Sequence, residues 1–432
     1  MLFGFDGDRR DFIGLVRSSE ARKSRAAEAL NFFDDQQDDT TLALIKRRFA
    51  SSDSFRIFTV NMVRKVVNRR ATAYRIPPIR TFEGWDQEAG TALYQAANID
   101  AVMKRASKLT KLLKTSALQV RHSDHGLQVS VLTPHILDAV YDDPEHPQRI
   151  VVTHAASDTT RTTYSDWTAT TYQRRDHQGR VISNSGNPSG VNPYGLLPFV
   201  PLFDRLPDSS FFLPGGDDLI GAQKALNVGL ANLFRSIELQ AHGQAVAKGL
   251  PIGDPIATGP DKVILLPPDG EFSYASPNAP ITEMLSALEF LMRQTAATND
   301  VGADVFDLSK RAESGSAKHA ERLDLREARQ DDIALWRRYE VRLFEVIKAV
   351  VNAHAPGTIP EAATIRVDFA ELQDNLTEAE LLENLKVKAE LGISSPVDAL
   401  MAMNPDGFVT RDEAYRELQR RKAETQELLL AL

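Results

Sequence analysis

Apolar positions along the first hundred or so residues recur at helical spacing. Phe55, Phe58, Met62, Val66 and Ala73 mark one face of a helix. Pro77-Pro78 ends it, because proline has no N–H to donate and crowds the preceding turn. A second helical stretch is expected over 86–114, opened by acidic residues and closed among lysines, as the helix macrodipole favours. From about Ser116 to Leu206 the texture becomes β-rich. Val-Ser-Val-Leu (129–132), Arg-Ile-Val-Val-Thr (149–153) and Thr-Thr-Tyr (162–164) are separated by turn residues. Asp176-His177-Gln178-Gly179 reads as a hairpin turn, 183–195 as a Gly/Pro/Asn loop, and Leu197-Pro-Phe-Val-Pro201 as the way out of the sheet.

Helical spacing returns at Asp217-Asp218, good first-turn residues after Gly215-Gly216. Leu219, Leu226, Leu230, Leu233 and Ile237 form one stripe. A turn- and strand-rich segment covers 243–279. A second helix follows from Ile281, with Leu285, Leu288, Leu291 or Met292, and Thr295 on one side. Residues 299–316 form a polar loop with Gly302 and Gly315. Helical pattern then runs from about Ala317 to His354, roughly 57 Å if unbroken. Its first half is charged all round, and its second half carries Trp336, Tyr339, Leu343, Ile347 and Val350 as a core stripe. A strand is expected over 364–369, then a helical tail interrupted by Ser394-Ser395-Pro396. The fold class is therefore α+β, mainly helical.

Composition changes this picture in two places. Hydrophobic residues at 42% and charged residues at 25% of 432 exclude wholesale disorder. The absence of cysteine removes disulfides, thiolate chemistry and Cys-type metal sites. Neither a secretory leader nor a membrane-spanning stretch is expected. Charge is uneven: residues 1–80 hold 16 Lys/Arg and 10 Asp/Glu, so their +6 leaves −14 elsewhere in a chain of net −8. From Lys46 to Arg80 there are ten bases and only Asp53 as an acid. Such a run reads either as a nucleic-acid-facing surface or as a solvated or intersubunit face.

Catalytic patterns fail on spacing. Gly253 and Gly259 stand before Lys262, but six residues apart, and Gly259 is followed by Pro260 instead of Lys-Ser/Thr. In Asn404-Pro-Asp406-Gly407, a calcium-loop register puts Ala402 at the first ligand position. His122 and His125 sit in a turn sequence without a helix to hold them. No HExxH or Gly-x-Ser-x-Gly occurs. The expectation is a protein with no enzymatic activity, no cofactor and no metal.

The order of parts is the stronger signal. It resembles the portal proteins of tailed bacteriophages, with local likeness at Asn61-Met-Val-Arg-Lys-Val-Val-Asn-Arg-Arg-Ala-Thr-Ala-Tyr74, Leu197–Pro201, 217–227, Glu313-Ser-Gly-Ser-Ala317 and Met403-Asn-Pro-Asp406. The resemblance implies a portal-like ring subunit with a wing over 1–216, β-rich at 116–206. It implies stem helices at 217–242 and 280–298 and a clip at 243–279, with Asp261, Lys262, Asp269 and Glu271. Further implied are a tunnel loop at 299–316, a long helix and return strand at 317–375 reaching from wing to crown, and a helical crown at 376–432. Leu226, Leu230, Leu233, Ile237, Leu285 and Leu288 would pack the stem. Asp300, Asp304, Asp307, Lys310 and Arg311 would face the channel.

By the same resemblance the function would be a dodecameric homo-oligomer ring at one capsid vertex. Double-stranded DNA would pass through it during packaging and ejection. Partners would be the major capsid protein, the terminase large subunit and later a head–tail adaptor, with no membrane. The location would be the virion, and the host cytoplasm during assembly. A mildly acidic channel suits a sliding polyanion, which a basic cleft would hold. Two other readings stay open: a DNA-binding or nucleic-acid-processing factor using the basic 46–80 segment, and an oligomeric scaffold with no DNA role.

Overall fold

The computed structural model describes residues 4–49, 57–156, 161–184, 186–241, 244–249, 268–275, 278–302, 306, 315–370, 378–403 and 410–431. The chain divides into two units, Met1–Ala370 and Glu371–Leu432.

The first unit opens with α1 (Gly4–Ser18), α2 (Glu20–Phe33) and α3 (Asp38–Arg48). Next comes α4 (Met62–Arg70), which is shorter than the Phe55-to-Ala73 stripe suggests. Asn61 starts it, its side chain accepting from the Arg64 amide at 2.8 Å, an N-cap that fixes where the helix begins. Phe58 therefore precedes the helix, Ala73 lies in the turn after it, and Phe55 falls outside the described residues. Strand β1 (Ile79–Glu83) follows. The single helix expected over 86–114 is two, α5 (Gln87–Ala96) and α6 (Ile99–Leu113). Asn98 between them is left-handed, φ 51°, a conformation Asn tolerates better than most residues, and it redirects the chain.

Two antiparallel sheets follow. β2 (Thr115–Ser123) pairs with β3 (Gly126–Leu132) on one side and β9 (Phe199–Phe203) on the other. β4 (Leu137–Val140), β5 (Arg149–His154), β6 (Thr163–Thr168), β7 (Tyr172–Arg175) and β8 (Val181–Ile182) form a five-stranded meander. The hairpin turn between β7 and β8 is Asp176–Gly179, with Gly179 at φ 77° and the Asp176 amide donating to Arg180 O at 2.9 Å. Leu197–Pro201 does not leave the sheet; its second half enters β9, with Pro201 opposite Ala117. β9 is an edge strand, where proline's missing donor costs no ladder bond.

Helix α7 (Asp217–Ala241) is followed by β10 (Gln244–Lys248), antiparallel to β11 (Glu271–Ala275), then by α8 (Ile281–Thr298). The 40-residue α9 (Gly315–His354) leads to β12 (Thr364–Asp368), which pairs with β1. α9 thus opens at Gly315, inside the stretch expected to be loop.

Packing explains the burial pattern. Every residue of β2 from Thr115 to Val120 is buried, because both faces are covered. Leu118 and Val120 join a core with Met103, Trp336, Leu343 and Ile347. Ala117 joins another with Ile150, Trp167, Phe203 and Phe211. The α9 stripe Trp336, Tyr339, Leu343, Ile347 and Val350 is buried as its spacing requires. Within this core, fully buried Glu340 accepts from Arg80 Nη2 at 2.8 Å, Arg80 Nε at 3.0 Å and Tyr74 Oη at 2.8 Å. Burial, then the Glu340 charge, holds the Tyr74 phenol well above its ordinary pKa. At the periphery, α2 is fastened to β4 by Asp138, which pairs with Arg22 and Lys23 and accepts from Ser19 Oγ at 2.6 Å.

The second unit holds α10 (Glu378–Glu390), α11 (Pro396–Met403) and α12 (Arg411–Ala431). Pro396 sits at the first helical position of α11, where its missing N–H is harmless. Just before it, Ser395 N and Oγ both donate to Asp398 at 2.8 Å. Val397, Leu400 and Ala414 are its buried residues.

Candidate functional site

The arrangement with most bearing on function lies where α4, α7 and α8 meet. α7 and α8 pack antiparallel and meet at Gly229, where an added Cβ would stand 2.5 Å from Leu288 Cδ2. Leu226 and Leu233 are buried, while Leu230 and Leu288 are partly buried. Ile237 and Leu285 are exposed at 41% and 48%. They lie towards the strand-bearing end of the helix pair, beyond the layer α4 supplies, so the single chain leaves them uncovered. Phe234, Leu239 and Phe290 are exposed as well.

α4 is set on α7 by a polar device that hydrophobic periodicity does not reveal. Gln223 Oε1 accepts from the Met62 and Val63 amides at 2.8 and 3.2 Å. Its Nε2 donates to Val60 O and to Asn227 Oδ1, both at 2.7 Å. Asn227 Nδ2 then donates to Gln37 Oε1 and Thr41 Oγ1. One helix thereby satisfies the orphan N-terminal donors of another. Met62, Val63, Val66 and Val67 face inward, so Arg64, Lys65 and Arg69 face solvent.

The loop after α8 begins against this basic helix. Asn299 Nδ2 donates to Thr295 O at 3.0 Å. Asp300 adopts φ 53°, and the Val301 amide returns to Ala296 O at 3.0 Å, burying Val301 beside the α4 valines. Asp300 Oδ2 lies 3.5 Å from Arg70 Nη2. Lys65 Nζ sits 5.0 Å from the centre of the Phe306 ring. Of the loop residues singled out in the sequence, Asp300 is here; Asp304, Asp307, Lys310 and Arg311 lie outside the described residues. At the other end of the helix pair, Asp269 is an exposed turn residue, and Glu271 begins β11 with Lys248 at 3.4 Å. Asp261 and Lys262 lie outside the described residues.

A buried ion cluster ties α6 to α9 nearby. Lys111 Nζ is 2.8 Å from Asp204 and 2.7 Å from Asp332, and Lys114 reaches Asp204 at 2.9 Å. Burial would lower the Lys111 pKa, but the two carboxylates outweigh it and raise it. Burial would raise Asp204, yet the two lysines pull it below its ordinary value. For Asp332 burial wins, and its pKa is raised. These side chains tie α6 to the strand end at Asp204 and to α9. Among the described residues, no group of three or more His, Asp or Glu is placed to hold a metal ion, and no helix is long and apolar enough to cross a membrane.

No protein-family model and no curated protein matches the chain. Among solved structures it is similar to a chain from the neck of an empty gene transfer agent (GTA) particle computed with C6 symmetry. The TM-score is 0.47 and the identity 13%, over 82% of this chain and 90% of that one. It is also similar to a chain of the virion of the native GTA particle, with TM-score 0.46 and 12% identity over 84% and 98% of the two chains. A third is from the neck of the native GTA particle computed with C12 symmetry, with TM-score 0.46 and 12% identity over 79% and 89%.

Proposed function

We propose that the protein is the subunit of a tailed-phage portal, a ring at one capsid vertex through which double-stranded DNA is packaged and ejected. In this reading it is a structural protein without enzymatic activity, and the ring is a dodecamer. It contacts the major capsid protein, receives the terminase large subunit, and later binds a head–tail adaptor through the 243–279 segment. It resides in the virion after assembly in the host cytoplasm.

The observation that supports this best is the α7–α8 pair with β10–β11 at its end. Its helices are locked by the Gly229–Leu288 contact, yet Ile237, Leu285 and Phe290 stay exposed in one chain. A helix pair that is stiff within the chain and apolar on its outside suits side-by-side repetition in a ring, where each copy covers the next by a heterologous contact. The ordered sequence resemblance supplies the rest.

The test is the native mass and an electron micrograph of the purified protein. Twelve copies of 47.9 kDa give a closed ring on the order of half a megadalton. A monodisperse monomer at high concentration, with no rings on the grid, would remove the proposal.

A further inference from the structure

We infer that the exposed face of α4 is a docking surface for the phosphate backbone of double-stranded DNA, with Asp300 acting as a built-in competitor for one of its cations. The inference goes beyond the ring: it names a contact on the chain's surface that binding experiments can read whether or not the chain assembles.

Three observations carry it. First, the nine residues of α4 include Arg64, Lys65, Arg69 and Arg70 and no acid. Arg64, Lys65 and Arg69 are exposed, with the opposite side sealed into the core by Met62, Val63, Val66 and Val67. Second, the helix is held in place by the Gln223 amide cap and the Asn61 cap, so the cations stand on a rigid element whose ordering is already complete before a ligand arrives. Third, their present partners are weak. Arg64 donates to a neutral carbonyl, Phe33 O, at 2.8 Å, and Lys65 lies over the Phe306 ring. Arg69 has no ion pair among the described residues. Among the described residues only Arg70 meets a carboxylate, and that pair is loose at 3.5 Å, with the Asp300 side chain 61% exposed.

Acids near the start of the helix form no ion pair with its cations among the described residues. Asp35 accepts from Gln37 and Asn61, and Asp38 from Thr59. A duplex fits this surface better than an acidic peptide does. Cations spread along two turns of one helix match a regularly charged rod. Arg64, Lys65 and Arg69 can each be satisfied by phosphate oxygens alone, so the contact inferred is to the backbone and independent of sequence. It is weak enough to let DNA move, because a contact through few phosphates gains little from counterion release.

The experiment is fluorescence anisotropy of a short labelled DNA duplex with the full-length protein across a salt series. Three freely available cations predict log K falling with log salt at a slope of about −2.7. The R64A/K65A/R69A variant should lose that dependence, with circular dichroism showing that its helices persist, and R64K/K65R/R69K should retain it. Asp300→Asn should bind more tightly with a slope steeper by about one unit, because Arg70 becomes free for a fourth phosphate. An unchanged slope in the triple alanine variant would place the DNA elsewhere and overturn the assignment. So would absence of binding by the parent protein, or preference for a polyglutamate probe over the duplex. Failure to form rings bears on the portal reading and leaves this result standing.

Discussion

Glu340 shows what one side chain can hold. Its carboxylate is fully buried and spends both oxygens on Arg80 and Tyr74. Glu340→Ala would strand the Arg80 guanidinium with only Asp100, at 2.6 Å, as its charged partner. The expected loss is about 3–5 kcal/mol, the scale for breaking a buried pair, read by urea denaturation. Glu340→Gln keeps the shape and should fall between the two. Tyr339 gives a pH signature. Burial is the main cause that pushes its phenol up to about 12, against the opposing backbone hydrogen bond to Phe203. Its folded pKa is raised, so its contribution is fully present below the unfolded value near pH 10 and is lost as pH rises towards 12. That window is worth about 2–3 kcal/mol. Alkaline denaturation should steepen there in the parent protein and less so in Tyr339→Phe.

At the scale of elements, the helix pair depends on close approach. Gly229→Val would drive its side chain into Leu288, whose Cδ2 already lies 2.5 Å from where a Cβ would stand. Leu288 is partly buried and packs against the core that holds Leu226 and Ala296, so it must shift to make way. The expected cost is about 1–3 kcal/mol. Leu288→Ala in the same chain should recover part of it, a coupling visible in a double-mutant cycle. If the two changes simply add, the helices do not meet at this point. A second element-scale consequence concerns the stripe along α7. Leu233 is buried within one chain, so Leu233→Asp tests folding, not assembly.

At the scale of the whole molecule, assembly is better tested where the chain is already folded and exposed. Ile237→Asp and Leu285→Asp should leave the protomer's thermal unfolding nearly unchanged, since both positions are open. Each would bury a carboxylate at every repeated contact, several kcal/mol per interface, and shift the native mass from ring to monomer. A ring that persists in both variants would place the subunit contact elsewhere. The loop supplies a functional test. With Lys310 and Arg311 both changed to Ala, rings should form while packaged genome length or its retention falls. Normal filling and retention would remove those two residues from DNA passage.

What the sequence determined by itself was whatever local periodicity and caps encode. The buried stripe of α9, the start of α7 after Gly215-Gly216 and the Asp176–Gly179 hairpin were legible, because one-sided burial and turn residues leave a local pattern of their own; Ser394-Ser395-Pro396 read as a break in the tail, and Pro396 in fact opens α11. Tertiary structure decided the rest. β1 finds its partner in β12 at the far end of the first unit, and five residues starting just after a proline pair carry no mark of that. β9 read as an exit because Pro201 is tolerated only through its edge position. The stripes on α7 and α8 could not say which leucines meet within the chain, since Leu226 and Ile237 look alike until a neighbour covers one of them. The basic run at 46–80 likewise became informative only once Gln223 fixed α4 from the side. Hydrophobic spacing says that a residue wants a partner; only the packed chain says whether it has one.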